Sequence, residues 1–216
     1  MDYAALRVAV EDAVENTFTD SDFATMTKLA EQRIYNSVQF PALRKNQTAT
    51  LTQGDSYLSA PTDFLSAFSL AVVSNTGEYS YLLDKDVNFI RESFPNPAVQ
   101  GIPKYYALFG PRSTDPRELS FILGPTPNAA LTVELHYFGY PESIVTANTT
   151  WLGDNFDSVL FNAVMVEAAR WMKQEQDIVA MMDKEYQQSL GLFKNLGDGK
   201  NRQDAYRSGQ LRLPVK

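Results

Sequence analysis

Cysteine is absent from the 216-residue chain, and histidine occurs once, at His136. The first absence excludes disulfides, thiolate zinc sites and cysteine nucleophiles. No apolar run approaches the roughly 20 residues that a helix needs to span a bilayer, and the acidic N-terminal segment lacks the apolar stretch of a signal peptide. We therefore expect no membrane segment, no export signal, and synthesis in the cytoplasm.

Enzyme motifs are equally scarce. His136 lies in a segment that alternates polar and apolar residues, and a single histidine on the wet face of a strand lacks the oriented partner that catalysis requires. The sequence contains no glycine-rich phosphate loop and no His-Glu-x-x-His zinc motif. Asp84 and Asp86 precede one predicted helix and Asp154 opens another, where negative charge complements the helix dipole. We expect no enzyme, no cofactor and no metal.

Charge is unevenly distributed along the chain. The formal net charge is −7, but residues 197–216 hold five basic and two acidic side chains, so this tail is +3 and residues 1–196 are −10. A basic tail on an acidic body favours a tail that binds another molecule, and the alternative is a solvated, disordered terminus. The acidic body does not favour general nucleic-acid binding.

Apolar spacing predicts helices at both ends of the chain. Near the N-terminus we expect a pair of helices, the second with an N-cap among Thr19–Ser21. The helical period returns at Trp151, and its last apolar stripe closes at Phe193. Gly197 and Gly199 then predict the end of the helix and the start of an extended arm.

Between these ends the apolar period changes to two, which is typical of strands. Val133, Leu135 and Tyr137 are expected inside, with the residues between them facing water. Turn residues predict hairpins at 53–55 and 75–77. We predict an α+β fold, in which an antiparallel bundle of two N-terminal and one or two C-terminal helices carries an inserted antiparallel β sub-domain and an extended C-terminal arm. The expected boundaries are residues 1–45, 46–150, 151–196 and 197–216.

The helix after Trp151 is apolar around most of its circumference. Such a helix must be covered on several faces, either by its own domain or by a neighbouring subunit. Phe156, Leu160 and Trp171 are the candidates for packing against a neighbour, and packing entirely within the chain is the alternative.

Three stretches together resemble the head-to-tail adaptor proteins of tailed bacteriophages, also called connectors, tail tubular protein A or gatekeeper. The first is "FATMTKLAEQRIYNSVQFPALR" leading into "LSAPTDFLSAFSLAV". The second is "GIPKYYALFG" with "LSFILGPTPNAALTVELHYFGYPESI". The third is "TWLGDNFDSVLFNAVMVEAARWMKQEQDIVAMMDKEYQQSL". The resemblance rests on their order and spacing and covers most of residues 20 to 190.

This resemblance implies a structural virion protein of the neck, made in the host cytoplasm. It implies a dodecameric ring between the portal protein and the next neck or tail component (a nozzle, stopper or tail tube), and a channel that DNA passes without specific binding. It also implies that the C-terminal arm docks into the portal. The arm residues expected to make this contact are Arg202, Tyr206, Arg207, Leu211, Arg212, Leu213 and Val215.

An alternative from another class is a β-sheet carbohydrate-binding or receptor-binding module of a virion. Tyr79, Tyr81 and Tyr106 would then stack on sugars and should be exposed together in a groove. A hydrolase of the virion neck is a third possibility, for which the sequence supplies no catalytic constellation. For the adaptor, the hairpin tips at 53–55 and 75–77 are expected to face the next tail component.

Overall fold

The computed structural model describes residues 1–74, 76–111 and 118–208, with the backbone alone from residue 196. The chain divides into two compact units. The helical unit comprises Met1–Ala42 and the chain from Pro141 onward, and the β unit comprises Leu43–Tyr140. No helix among the described residues is long and apolar enough to cross a membrane.

The helical unit contains six helices among its described residues. They are α1 (Tyr3–Val14), α2 (Asp20–Ser37), α4 (Ile144–Ala147), α5 (Trp151–Asn155), α6 (Asp157–Trp171) and α7 (Gln176–Ser208), where α3 (Val87–Ser93) belongs to the β unit.

Side-chain caps begin the first two helices. The Ala5 N–H donates to Asp2 Oδ1 over 2.7 Å at the start of α1. At the start of α2, the Asp22 N–H donates to Thr19 Oγ1 over 3.2 Å, which confirms a cap within the predicted range. Each cap satisfies a backbone donor that has no partner inside the helix.

Helix α6 lies at the centre of the helical unit. It contacts α1, α2, α5 and α7, and it is buried on several sides. Its fully buried side chains include Leu160, Ala163, Val164, Val166 and Ala169. The other helices of the same unit therefore cover most of the apolar surface of α6.

The predicted helix break at Gly197 and Gly199 is wrong. Helix α7 continues through both glycines to Ser208, so the segment 197–208 is helical and not extended. A glycine in a helix costs only about 1 kcal/mol relative to alanine, and each added residue of an established helix gains one hydrogen bond. Two glycines are therefore not enough to end a helix that began at Gln176.

The β unit contains ten short strands among its described residues. They are β1 (Arg44–Thr50), β2 (Tyr57–Ser59), β3 (Phe64–Val73), β4 (Tyr79–Tyr81), β5 (Leu83–Asp84), β6 (Gln100–Gly101), β7 (Tyr105–Phe109), β8 (Ser120–Gly124), β9 (Thr126–Pro127) and β10 (Thr132–Gly139).

These strands form two four-stranded sheets and one short pair. The first sheet has the order β1-β10-β3-β4 and is antiparallel throughout. The second has the order β2-β8-β7-β5, in which β5 pairs with β7 in parallel, and β6 pairs with β9 in parallel. The mixed α+β class with antiparallel sheets is confirmed, while the bundle arrangement of the helices stays a prediction.

The core of the β unit lies between its two four-stranded sheets. Leu70, Val72, Val133 and Leu135 of the first sheet share one buried cluster with Phe121 of the second. The burial of Val133, Leu135 and Tyr137 confirms the alternation predicted for β10. A second cluster lies on the other side of the second sheet, where α3 packs against β7 and β8. Each sheet therefore has an inner face and an outer face.

Candidate interaction surfaces

A polar network occupies the outer face of the first sheet and is centred on Glu134. Asn46 Nδ2 donates to Glu134 Oε1 over 2.7 Å, and His136 Nε2 lies 3.5 Å from the same oxygen. A hydrogen bond to Glu134 raises the pKa of the Tyr79 hydroxyl. These residues meet because Asn46 and His136 are register partners on adjacent strands, and residues two apart on β10 share a face.

His136 also approaches Ser69, whose Oγ lies 3.3 Å from Nδ1. Serine, histidine and a carboxylate in this order are the components of a hydrolytic triad. A triad serine usually sits at a strained turn beside backbone donors for the developing oxyanion, whereas Ser69 lies within β3, opposite His136 in the ladder. We interpret the three residues as a polar surface network.

Exposed aromatic side chains surround this network. Phe68 is 67% exposed and meets Phe138 edge to face at a centroid distance of 6.1 Å. Tyr81 is 68% exposed and stacks with Tyr79 at 6.4 Å. We call Phe68, Tyr79, Tyr81, Glu134 and Phe138 the front patch.

A β-bulge explains why Phe68 lies outside. Strict alternation along β3 would place Phe68 on the same face as Phe64 and Leu70, both of which are buried. The register steps from His136–Ser69 to Tyr137–Ala67, so Phe68 is the extra residue. The sequence did not identify Phe68 as a surface residue, because its position in the alternating pattern of β3 is that of a core residue.

The three tyrosines of the carbohydrate alternative do not lie together. Tyr79 and Tyr81 belong to the front patch, but Tyr106 is only 6% exposed and meets Phe121 edge to face in the core between the sheets. Burial raises the pKa of Tyr106. The predicted trio is therefore reduced to a stacked pair.

A second exposed apolar surface lies on the outer face of the second sheet. Phe89 of α3 contacts Tyr105 edge to face at 5.4 Å, and Leu83 is the register partner of Tyr105. Lys85 Nζ lies 5.5 Å from the centroid of Phe89, and the Arg91 guanidinium lies 5.8 Å from that of Phe109. We call Leu83, Lys85, Phe89, Arg91 and Phe109 the back patch. None of these five residues was singled out by a sequence pattern.

A charged cluster connects the adjacent strands β1 and β10 of the first sheet with Asp63, which lies just before β3. Lys45 Nζ donates to Asp63 Oδ2 over 2.5 Å and to the Tyr140 carbonyl over 2.7 Å, and the Tyr137 hydroxyl donates to Asp63 Oδ1 over 3.0 Å. Partial burial alone would raise the pKa of Asp63, but the hydrogen bonds from Lys45 and Tyr137 outweigh it and lower that pKa. Partial burial, with the bond to Asp63, raises the pKa of Tyr137 to about 12. The cluster stabilises the sheet close to both ends of the β unit.

The three residues predicted to contact a neighbouring subunit have different environments. Leu160 is fully buried within the helical unit, so it cannot touch another chain in this conformation. Phe156 is half-buried and lies 4.5 Å from Phe193, centroid to centroid. Trp171, at the end of α6, is 46% exposed. The prediction of an intersubunit contact therefore depends on Trp171 and the exposed portion of Phe156.

The predicted arm residues fall in two segments. The backbone of Arg202, Tyr206 and Arg207 belongs to α7. The remaining four, Leu211, Arg212, Leu213 and Val215, lie outside the described residues. The turn at 53–55 is exposed at Gln53 and Gly54, but it joins β1 of the first sheet to β2 of the second, so the hairpin predicted there is wrong. Strands β3 and β4, on either side of 75–77, do pair antiparallel as predicted, and Asn75 itself lies outside the described residues.

No group of three or more acidic or histidine side chains suited to a metal ion occurs among the described residues. The β unit instead carries two patches of exposed aromatic side chains. Patches of this kind are more typical of protein–protein contact than of catalysis.

Comparison with known proteins identifies a family for nearly the whole chain. The family model described as SU10 adaptor protein matches residues 1–213. No curated protein matches the chain.

Proposed function

The chain belongs to the SU10 adaptor protein family, a family of phage head–tail adaptors, and we propose that it forms a dodecameric ring between the portal protein and the next neck or tail component. Membership makes the chain a structural component of the virion. The number of protomers, the portal as partner and the passage of DNA through the ring belong to our proposal.

The observation that carries the proposal is the family match over residues 1–213, which includes both units. The exposed patches of the β unit support it. Large aromatic side chains on a surface mark sites that other proteins cover. A protein that works only within an assembly needs such contact sites.

We assign portal docking to the C-terminal end of the chain. Helix α7 carries Arg202, Tyr206 and Arg207, and beyond it Leu211, Leu213 and Val215 alternate with Arg212 and Pro214, as an added edge strand would. A single short segment of this kind would bind weakly on its own. Twelve such segments on one ring compensate by multivalency.

Truncation after Ser208 tests the docking assignment. The truncated chain keeps the whole of α7, and the matched control carries residues 209–216 in scrambled order. Mixed with isolated portal and imaged by negative-stain microscopy, the full chain should decorate the portal, while the truncated and scrambled chains should lose most of that occupancy. Full occupancy by the truncated chain would show that the terminal segment is not the dock.

We further propose that DNA passes the ring without being held. Residues 1–196 carry a net charge of −10, and DNA bound to an acidic wall gains no free energy from counterion release. Assembled rings should therefore release linear DNA in a filter-retention assay even at low salt. Tight retention that weakens steeply with added salt would contradict this element of the proposal.

The alternative function, a carbohydrate-binding or receptor-binding module, keeps one supporting observation. The stacked and exposed pair Tyr79–Tyr81 resembles a platform for a sugar ring. A thermal-shift screen against glycans distinguishes the two functions, since an adaptor should show no shift. A stabilising glycan whose effect disappears in Tyr81→Ala would favour the alternative.

A further inference from the structure

We propose that the front patch of one protomer packs against the back patch of the next protomer, so that the β units supply a subunit interface of the ring. This inference rests on the proposed ring and adds to it the surfaces that join neighbouring copies. The occupant of each patch is therefore a second copy of this chain.

The arrangement of the patches agrees with ring symmetry. The front patch lies on the outer face of the first sheet, and the back patch lies on the outer face of the second, with the shared core between them. A closed ring needs a heterologous interface, in which two different surfaces of each protomer meet. Two unlike apolar patches on opposite faces of one sandwich satisfy this requirement, whereas a two-fold dimer would need only one self-complementary patch.

The chemistry of the two patches is complementary. The front patch presents exposed tyrosine rings around the Glu134 carboxylate, whose side chain is 18% exposed, and the back patch presents the cations Lys85 and Arg91 beside aromatic rings. Cations over aromatic faces and opposite charges both favour contact.

The exposure of the patches also argues for a protein partner. Phe68 and Tyr81 are each about two-thirds exposed, and Leu83 is 59% exposed. Aromatic residues in the centre of an interface supply much of its binding free energy. Strict alternation would place Phe68 in the core between the sheets, and the β-bulge turns it outward. The exposure of Phe68 is therefore a property of the fold.

Site-directed cross-linking tests the inference without disturbing the patches, because the chain has no cysteine of its own. Ser66→Cys marks the rim of the front patch, and Glu92→Cys marks the rim of the back patch; both positions are exposed. The full-length double variant is brought to the concentration at which its native mass shows assembly and treated with a short bifunctional maleimide. We expect a ladder of covalent oligomers up to the size of the ring.

Three controls define the outcome. Each single-cysteine variant should stay at the mass of one chain, because a front patch does not meet another front patch. The pair Gln53→Cys with Glu92→Cys, in which Gln53 marks the exposed turn between β1 and β2, should give several-fold less product than the patch pair. Dimers from either single variant, or equal ladders from both pairs, would overturn the inference.

The native mass keeps this outcome separate from that of the proposed function. Rings that assemble but give no ladder from the patch pair would leave the proposed ring intact and reject the patches as its interface. A chain that stays monomeric at every concentration and gives no ladder would reject both.

A substitution experiment measures the same interface by another route. The double variant Phe68→Ser, Tyr81→Ser removes two exposed rings, and we expect its self-association to weaken about tenfold or more, as for central interface residues. Leu29→Ser, which removes an exposed apolar side chain from α2 of the helical unit, is the matched control. Unchanged association of the double variant, with unchanged thermal stability, would contradict the inference.

Discussion

The helical unit and the β unit use their aromatic residues differently. In the helical unit Phe40 and Phe193 are buried and pack on each other, while Trp151 and Trp171 are 37% and 46% exposed. In the β unit one set of rings fills the space between the sheets, and a second set lies on both outer faces. The comparison indicates that the phenylalanines of the helical unit mainly fill its own core, while the β unit carries two outward-facing aromatic surfaces that a partner can cover.

The largest expected difference between the units is in stability. Phe193→Ala removes a ring that is only 1% exposed, and it should lower the free energy of unfolding by about 3–5 kcal/mol. Phe68→Ala should change it by only about 0.5 kcal/mol, because the ring faces water in the isolated chain. Urea unfolding followed by circular dichroism measures both. Similar losses for the two variants would show that Phe68 belongs to the core.

The charged cluster of the β unit should have the next largest effect. Asp63→Asn removes the charge that Lys45 contacts and weakens the bond from Tyr137, and it should cost about 1–3 kcal/mol. The pKa of Asp63 is lower in the folded chain, so its contribution is present at neutral pH and is lost as pH falls through the folded pKa, below about 4. Unfolding at pH 7 and pH 3 checks this. Equal losses for Asp63→Asn at both pH values would contradict the assignment.

A buried carboxyl group of the helical unit should respond to pH in the opposite sense. Glu31 accepts the Ile144 N–H over 2.9 Å, and burial raises its pKa. A carboxyl whose folded pKa is raised favours folding below that pKa and loses this contribution as pH rises through it. We therefore expect Glu31→Gln to flatten the decline in stability that occurs as pH rises above about 4.3, the ordinary pKa of glutamate. An unchanged slope in a pH series of thermal unfolding would count against it.

The smallest expected effect concerns the polar network of the front patch. Tyr79→Phe removes the hydroxyl that interacts with Glu134 at the surface, and it should leave the stability of the chain almost unchanged, as substitutions at exposed positions usually do. Spectrophotometric titration should show the loss of one tyrosine with a raised pKa, since hydrogen bonding to Glu134 raises that of Tyr79. A titration curve identical to that of the unmodified chain would contradict this role for Glu134.

Local patterns made several elements predictable. The threonine before α2 was within the predicted cap range because its oxygen satisfies a free backbone donor. The alternation of Val133, Leu135 and Tyr137 identified the inner face of β10 because one face of that sheet is buried. Both features depend on residues that are close in sequence.

Other features depend on contacts that a pattern does not contain. The β-bulge that exposes Phe68 arises from the register between β3 and β10. The continuation of α7 through Gly197 and Gly199 reflects the cooperativity of a long helix, which outweighs the preference of single residues. The back patch depends on α3 packing across β7 and β8, which brings Lys85 and Arg91 beside aromatic rings.

Native mass spectrometry of the full-length chain, alone and mixed with its portal protein, tests the central claim most directly. A ring-forming adaptor should give a complex that contains twelve copies of the 216-residue chain for each portal ring. A chain that stays monomeric in the presence of the portal, or that binds it with no fixed number of copies, would contradict the account.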